Sequence, residues 1–395
     1  MSGYHAKLSP SGAHRWMRCP GSVALEAQYP ADKAGVHAAE GTLAHMLASD
    51  YLERLDFLGG AGPHPFDRVG ETHEVDGYTF TVDRIMAEYV DDYIRLVRDY
   101  ARRGMLLVER RVPIGFITAE EGATGTSDAI IVDTENRTLY VVDLKYGMGV
   151  RVDAADNEQL MMYALGALDL CEHLGEFDEV CMLIHQPRLN HVAEHWIPVA
   201  DLLAFGEKAA AAAEATRQPD ARLEPGEKQC RFCKAKFECP AMKAMVEETV
   251  DHIAPGVSAD DFADLGDNSL SIAMGRVDQI EQWCRAVRAE VERRLVAGQD
   301  VPGYKLVEGR RGNRAWKSAD IAREELAKFL KHDEMVEEKL ISPATAEKLL
   351  KKNPEGLEAL DSLTERPEGK LSVAPVTDKR PAKAANATAH DFADR

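Results

Sequence analysis

The chain has 395 residues, 45% of them hydrophobic, and a formal net charge of −19. That length predicts two or three globular domains with a substantial core. The acidity excludes a protein that coats nucleic acid generally, but not one that grips DNA in a local groove. No run of about 18 apolar residues predicts a membrane span. The opening MSGYHAKLSPSGAHRW lacks the apolar stretch of a secretory signal, so a reducing cytoplasm is the expected compartment.

In chain order, residues 1–60 read as helical, with Ser9 or Ser11 as a cap before HRWMRC and a second helix over Glu40–Leu52. A third helix is predicted over Thr81–Arg103. Strands follow at Met105–Val112, Gly125–Asp133, Thr138–Lys145, Glu179–His185 and Glu194–Val199, with a helix over Asn157–Cys171 between the third and fourth. An alanine-rich helix, Asp201–Thr216, leads through a linker-like Pro219–Gly226 to a cysteine-rich stretch. A long helix is predicted over about Ser269–Ala297, then a β-like Tyr304–Val307 and charged helices around Ala319–Lys331 and Thr345–Lys352. The Pro/Ala/Lys-rich tail from about Arg366 reads as disordered. Basic residues gather at Arg102, Arg103, Arg110 and Arg111, a pattern of a solvated face, and again in GRRGNRAW at 309–316. The domains expected are 1–250, a mostly helical accessory region over 251–365, and the tail.

The most informative stretch is GTSDAIIVDTENRTLYVVDLKYG followed by DNEQLMMYALG. Two β-rich runs flank a polar Thr134–Arg137 turn, which is a hairpin signal. A turn centred between Glu135 and Asn136 pairs residues whose numbers sum to 271, which sets Asp128 opposite Asp143. Opposed residues on an antiparallel pair have Cβ atoms about 4.5–5.5 Å apart. Two carboxylates that close repel unless a cation lies between them. Strand alternation puts Lys145 on the face of Asp143. Such a set suits a hard divalent metal with a lysine beside the attacking water. Gln159 and Tyr163, four apart, share one helix face and point back at the hairpin if that helix packs on the sheet.

Three of the seven cysteines form C-x2-C-x5-C in KQCRFCKAKFECP, at Cys230, Cys233 and Cys239. Cys19, in RWMRCPGS, shares a Cys-Pro context with Cys239-Pro240. Four thiolates can hold a [4Fe–4S] cluster or a tetrahedral Zn²⁺. Cys171 and Cys181 read as small buried hydrophobes, and Cys284, next to Trp283, as a packing residue.

Taken together these residues resemble the PD-(D/E)XK nuclease superfamily, in its RecB-like iron–sulfur branch. That branch includes the AddB nuclease domain and the CRISPR adaptation exonuclease. The resemblance covers roughly residues 8–245 and rests on ordered motifs: Gly41-Thr42-x-x-His45, Gly125-Thr126-x-Asp128, Asp143-x-Lys145 and Gln159-x-x-x-Tyr163, with the split cysteines Cys19, Cys230, Cys233 and Cys239. The whole chain also resembles a phage and prophage family usually encoded among replication and recombination genes.

The resemblance implies an α/β fold: a mixed central sheet flanked by helices, a restriction-endonuclease-like core, an iron–sulfur staple and a helical C-terminal region. It implies that His45, Asp128 and Asp143 bind Mg²⁺ or Mn²⁺ with the Leu144 carbonyl. Lys145 would orient or activate water, and Gln159 and Tyr163 would position the strand and the lysine. The four split cysteines would hold the [4Fe–4S] cluster. Gly41, one turn before His45, would allow close backbone approach. The implied partners are DNA, as single strands or ends, and a phage single-strand-binding or recombination protein, in a bacterial host cell. Glu109 and Glu158 read as surface or structural acids. Trp16, Tyr146 and Trp316 are candidates for base stacking, with core packing as the plainer reading of each. Two other functions fit the residues: a non-catalytic DNA-end-binding or recombination scaffold, and a structural zinc protein.

Overall fold

In the computed structural model, β4 (Thr124–Asp133) and β5 (Thr138–Leu144) pair antiparallel from Asp133↔Thr138 to Ala129↔Val142, the register read from the sequence. The structure describes residues 6–29, 35–58, 62–253 and 267–305, with four further residues between 354 and 358. The predicted segments around Arg310–Trp316, Ala319–Lys331 and Thr345–Lys352 and the tail lie outside the described residues. The chain divides into two units, Met1–Val307 and Glu308–Arg395, and the sheet built around this hairpin belongs to the first.

β3 (Met105–Pro113), β4 and β5 run as an antiparallel meander, β6 (Glu179–Gln186) pairs parallel with β5, and β7 (His191–Pro198) closes the sheet antiparallel to β6. A parallel neighbour needs a crossover. Here α6 (Glu158–Cys171), capped by the Asn157 side chain on the Leu160 N–H, lies in that crossover. β5 is buried at every position, as expected of a strand covered on both faces. Alternate residues divide between two cores. Ile130, Val132, Leu139 and Val141 pack with α6 and with α7 (Val199–Ala215). Ala129, Ile131, Tyr140 and Val142 pack with α3 (Val36–Leu58) and α4 (Arg84–Ala101). The fold is therefore a mixed α/β sandwich, a five-stranded sheet between helices. No helix among the described residues is long and apolar enough to cross a membrane.

Several short elements depart from the sequence reading. The stretch read as two helices forms three, α1 (Ala13–Trp16), α2 (Ser22–Glu26) and α3, which covers the predicted Glu40–Leu52, with the Ser9 hydroxyl accepting from the Gly12 N–H. A small hairpin, β1 (Thr72–Val75) and β2 (Tyr78–Thr81), takes over the start of the predicted third helix. Its turn is Asp76-Gly77, both at positive φ, a hairpin signal present in the sequence. The helix itself begins after Asp83, whose carboxylate caps Met86 N–H. A short α5 (Gly115–Thr118) lies between β3 and β4, and α8 (Glu227–Arg231) and α9 (Pro240–Ile253) stand on either side of Cys233 and Cys239. α10 (Asp267–Val296) matches the long predicted helix.

Close packing of α6 on β3 depends on Gly166, where a Cβ would lie 2.7 Å from the Pro113 carbonyl and 2.8 Å from Val112 Cβ. Gly275, inside α10, has open space around it. Gly166→Ala is expected to destabilise the protein by about 1–3 kcal/mol through overpacking. Gly275→Ala should stabilise it by roughly 0.5–1 kcal/mol through helix propensity. Urea midpoints of the two variants read the difference. Equal shifts would mean that α6 does not pack this closely.

Candidate metal centre and the cysteine loop

Continuing the β4–β5 register one step past Ala129↔Val142 sets Asp128 against Asp143. The β3–β4 register runs through Val108↔Ala129 and Arg110↔Ser127, so Glu109 falls opposite Asp128 on the other side. Three carboxylates thus lie in one row across three strands. Glu109 is held at φ 46°, a left-handed backbone that a non-glycine residue adopts only under constraint. The alternation of β3 changes phase there: Val108 faces the α3–α4 core and Val112 the α6 core.

His45 reaches this row from α3, with Nδ1 3.3 Å from Asp128 Oδ1 and 4.0 Å from Glu109 Oε1. One ligand atom from each of His45, Glu109 and Asp128 lies within 4.8 Å of the others, the one such trio among the described residues. Asp128 Oδ2 accepts from the Leu144 N–H at 2.7 Å, locking the carboxylate to the end of β5. Asp143 is 3% exposed, and Lys145 Nζ sits 2.7 Å from its Oδ2 in a buried ion pair. Lys145 Nζ also donates to Gln159 Oε1 at 3.2 Å. Gln159 Nε2 faces Asp143 Oδ1 at 3.5 Å and the Tyr163 hydroxyl at 3.1 Å.

The electrostatics follow from this crowding. Burial lowers the His45 pKa, but Asp128, by charge and hydrogen bond, then Asp143 and Glu109 outweigh it and raise it to about 9. Burial, then the Asp128 charge, push Glu109 up to about 7, with His45 opposing. Asp143 is raised by burial against the pull of Lys145. Lys145, lowered by burial, is raised overall by Asp143. A site of three carboxylates and one imidazole, largely oxygen, suits Mg²⁺ or Mn²⁺.

The side chains expected at the metal centre, His45, Asp128, Asp143, Lys145, Gln159 and Tyr163, fall within this one neighbourhood, and Leu144, expected through its carbonyl, meets Asp128 through its N–H. Glu109, read as a surface or structural acid, stands in the row itself. Tyr93 is a further addition: it lines a narrow crevice with His45, Glu109 and Asp128, and its buried hydroxyl has no hydrogen-bond partner. Glu158 pairs with Arg18 outside the row. Gly41 corrects an expectation, since a Cβ there would meet nothing within 4 Å. Gly125 is the glycine that close packing requires. A Cβ on it would lie 2.7 Å from the Tyr163 ring and 2.9 Å from Pro10. Trp16 and Tyr146 are 3% and 4% exposed and pack in the cores; Trp316 lies outside the described residues.

The four split cysteines sit apart from this row. Cys19, Cys230, Cys233 and Cys239 are all buried and all free. The Glu224 N–H points at Cys19 Sγ at 3.2 Å and the Gly226 N–H at Cys230 Sγ at 3.3 Å. The N-terminal segment is tied to the cysteine loop by the Lys234 N–H on Glu26 at 2.8 Å, Glu26 also pairing with Arg15 at 2.7 Å, and by Arg15 on the Phe232 carbonyl at 3.4 Å. The Gly21 N–H on the Arg222 carbonyl at 2.9 Å adds a third tie. Burial raises Cys19 and Cys230, with Cys239 adding to both, and lifts Cys233 to about 12. Thiolates form here only with a cation to offset burial. The cysteines form no group of metal-ligand atoms as close as that of His45, Glu109 and Asp128 among the described residues. Cys171 and Cys181 are buried packing residues in the two main cores, as expected.

Residues 5–381 match the model of a family described as protein of unknown function, DUF2800. The chain belongs to that family.

Proton linkage gives a direct check on the metal centre. With a pKa of about 9, His45 is protonated at neutral pH and must lose its proton to bind a cation. Mn²⁺ affinity should therefore rise by roughly tenfold per pH unit between pH 7.5 and 8.5 and level off above about pH 9. Calorimetry at pH 7.5 in buffers of different ionisation enthalpy should report about one proton released per Mn²⁺ bound. A pH-independent affinity would remove His45 from the ligand set.

Proposed function

We propose that this protein is a metal-dependent deoxyribonuclease, an exonuclease acting on single-stranded or processed DNA ends in phage replication and recombination. The observation that carries the reading is the in-register Asp128/Asp143 pair with Lys145 held beside it by Asp143 and Gln159. On this reading the five-stranded sheet is a restriction-endonuclease-like core. His45, Asp128, Asp143 and Glu109 would hold Mg²⁺ or Mn²⁺, with the Leu144 carbonyl at the end of β5. A bound divalent cation polarises a phosphate and lowers the pKa of its water. Lys145, kept cationic by Asp143, orients that water and faces the charge that builds on the phosphate. Gln159 fixes the lysine, and Tyr163, packed on Gly125, fixes Gln159.

The cysteines support a [4Fe–4S] cluster on Cys19, Cys230, Cys233 and Cys239 as a structural staple. Two N–H groups already point at sulfurs, and all four sulfurs are buried. Clipping residues this far apart restricts the unfolded chain most in the loop-entropy picture. Cys19→Ala should lose the brown chromophore and lower the melting temperature of the whole first unit. Cys171→Ala, Cys181→Ala and Cys284→Ala should keep the colour. Full iron content in Cys19→Ala would remove it as a ligand, and stoichiometric zinc without iron in anaerobically prepared protein would favour a structural zinc site.

The activity is tested with end-labelled single- and double-stranded DNA, with and without Mn²⁺. Asp128→Ala and Asp143→Ala should abolish cleavage while the fold persists, since losing one carboxylate relieves repulsion in the metal-free protein. Lys145→Ala should lower kcat strongly and leave DNA binding intact. Wild-type cleavage by both aspartate variants would sink the assignment, as would a wild-type protein inert on every DNA.

A further inference from the structure

We infer that a groove running from Lys145 to the cysteine loop seats a single strand of DNA, and that Phe232 is the platform on which one of its bases stacks. This rests on the nuclease reading above. The groove encloses about 800 Å³. Its lining joins Lys145 and Gln159 to Lys228, Arg231 and Phe232 of the cysteine loop and to His14 of α1. That volume is in the range of roughly 300–1,000 Å³ that encloses a compact ligand, suited to a few nucleotides of one strand and not to a duplex.

Phe232 lies between two buried cysteines and yet is 66% exposed. The backbone around it is held in place: the Cys230 N–H bonds to the Gly226 carbonyl, the Cys233 N–H to Cys230, Lys236 Nζ to the Arg231 carbonyl at 2.7 Å and Arg15 to the Phe232 carbonyl at 3.4 Å. Backbone held in this way keeps the ring at the surface of the groove. The Arg231 guanidinium lies 5.6 Å from its centroid, and the His14 ring stands edge-on at 6.4 Å. An aromatic face beside a guanidinium is the combination that binds a base and its phosphate without sequence preference.

The charge along the groove agrees. Lys228 and Arg231 pair with no carboxylate among the described residues. Of the acids on the walls, Glu158 is matched by Arg18 and Glu281 by Arg285 at 2.8 Å. Glu227 and Asp278 remain against Lys228, Arg231 and Lys236. In a chain of net charge −19 this is a local cationic lining, and it leads to the proposed catalytic lysine.

The test uses the full chain and a labelled oligodeoxythymidylate, with binding read by fluorescence anisotropy without Mn²⁺ and cleavage read with it. Phe232→Ala should weaken binding and raise KM by roughly five- to a hundredfold, the range of one lost base stack, with kcat within about twofold of wild type. Phe232→Trp should restore both, at an unchanged melting temperature. On an abasic strand the wild type and Phe232→Ala should bind alike, which a merely structural role would not produce. Arg231→Ala should reduce the salt dependence of binding. If the wild type cleaves DNA and Phe232→Ala keeps its KM, the groove assignment falls and the nuclease reading stands. If the wild type binds the strand through Phe232 but cleaves no DNA, the groove stands and the nuclease reading falls. Equal losses by Phe232→Ala on intact and abasic strands, or no single-strand binding by the wild type, would overturn the groove.

Discussion

Mutual repulsion of carboxylates in one row of a sheet is the constraint around which this structure is arranged. Two unit charges about 5 Å apart repel by on the order of 3 kcal/mol at an effective dielectric near 20, and Asp128 stands between two such neighbours. The fold answers with three devices. Lys145 is drawn against Asp143, His45 is brought from α3 against Asp128, and the Leu144 N–H is turned onto the Asp128 carboxylate. None of these neutralises the row completely. Glu109 is pushed up to about 7, and burial still raises the Asp143 pKa against the pull of Lys145. A divalent cation would resolve what the protein leaves open.

The helices on both faces of the sheet serve that row. α3 and α4 bring His45 and Tyr93 from one side, while α6 brings Gln159 and Tyr163 from the other. The left-handed turn of the backbone at Glu109 marks where the two sides meet. A regular strand would keep strict alternation, so the residues after it would stay on their original face. The phase change moves β3 from one core to the other, and the strain is held in place by ladder pairs on both sides of Glu109.

The cysteine loop is coupled to the same region by packing. Segments about 200 residues apart are joined where Arg15, Glu26 and Gly21 meet residues 222–234. α1 also packs on α6, through core residues such as Ala13, Trp16 and Leu160. Under the proposed function, a staple at the cysteines would hold both α1 and the groove wall that approaches Lys145. A structural element would then shape the substrate path without taking part in the chemistry.

The sequence by itself determined the hairpin, its register and the Asp128, Asp143, Lys145 set, because a short turn makes pairing a matter of counting. It also determined the Gln159 and Tyr163 face, since helical spacing is local, and the grouping of three cysteines. Even the Asp76-Gly77 hairpin is written locally, though its strands of four residues are lost beside a strong helix. Tertiary structure alone decided the rest. Glu109 joins the row through a register set across the long Pro113–Thr124 connection, where no tight turn fixes the count. Its role also depends on a positive φ that propensity does not foretell. Tyr93 and Phe232 acquire their positions from how helices and a buried loop pack, one hidden by the site and the other held out to solvent. Gly41 and Gly125 look alike in the chain, and only the packed neighbours show that Gly125 is the one the Tyr163 ring requires. Contacts between residues far apart in sequence depend on three-dimensional packing, which spacing along the chain does not encode.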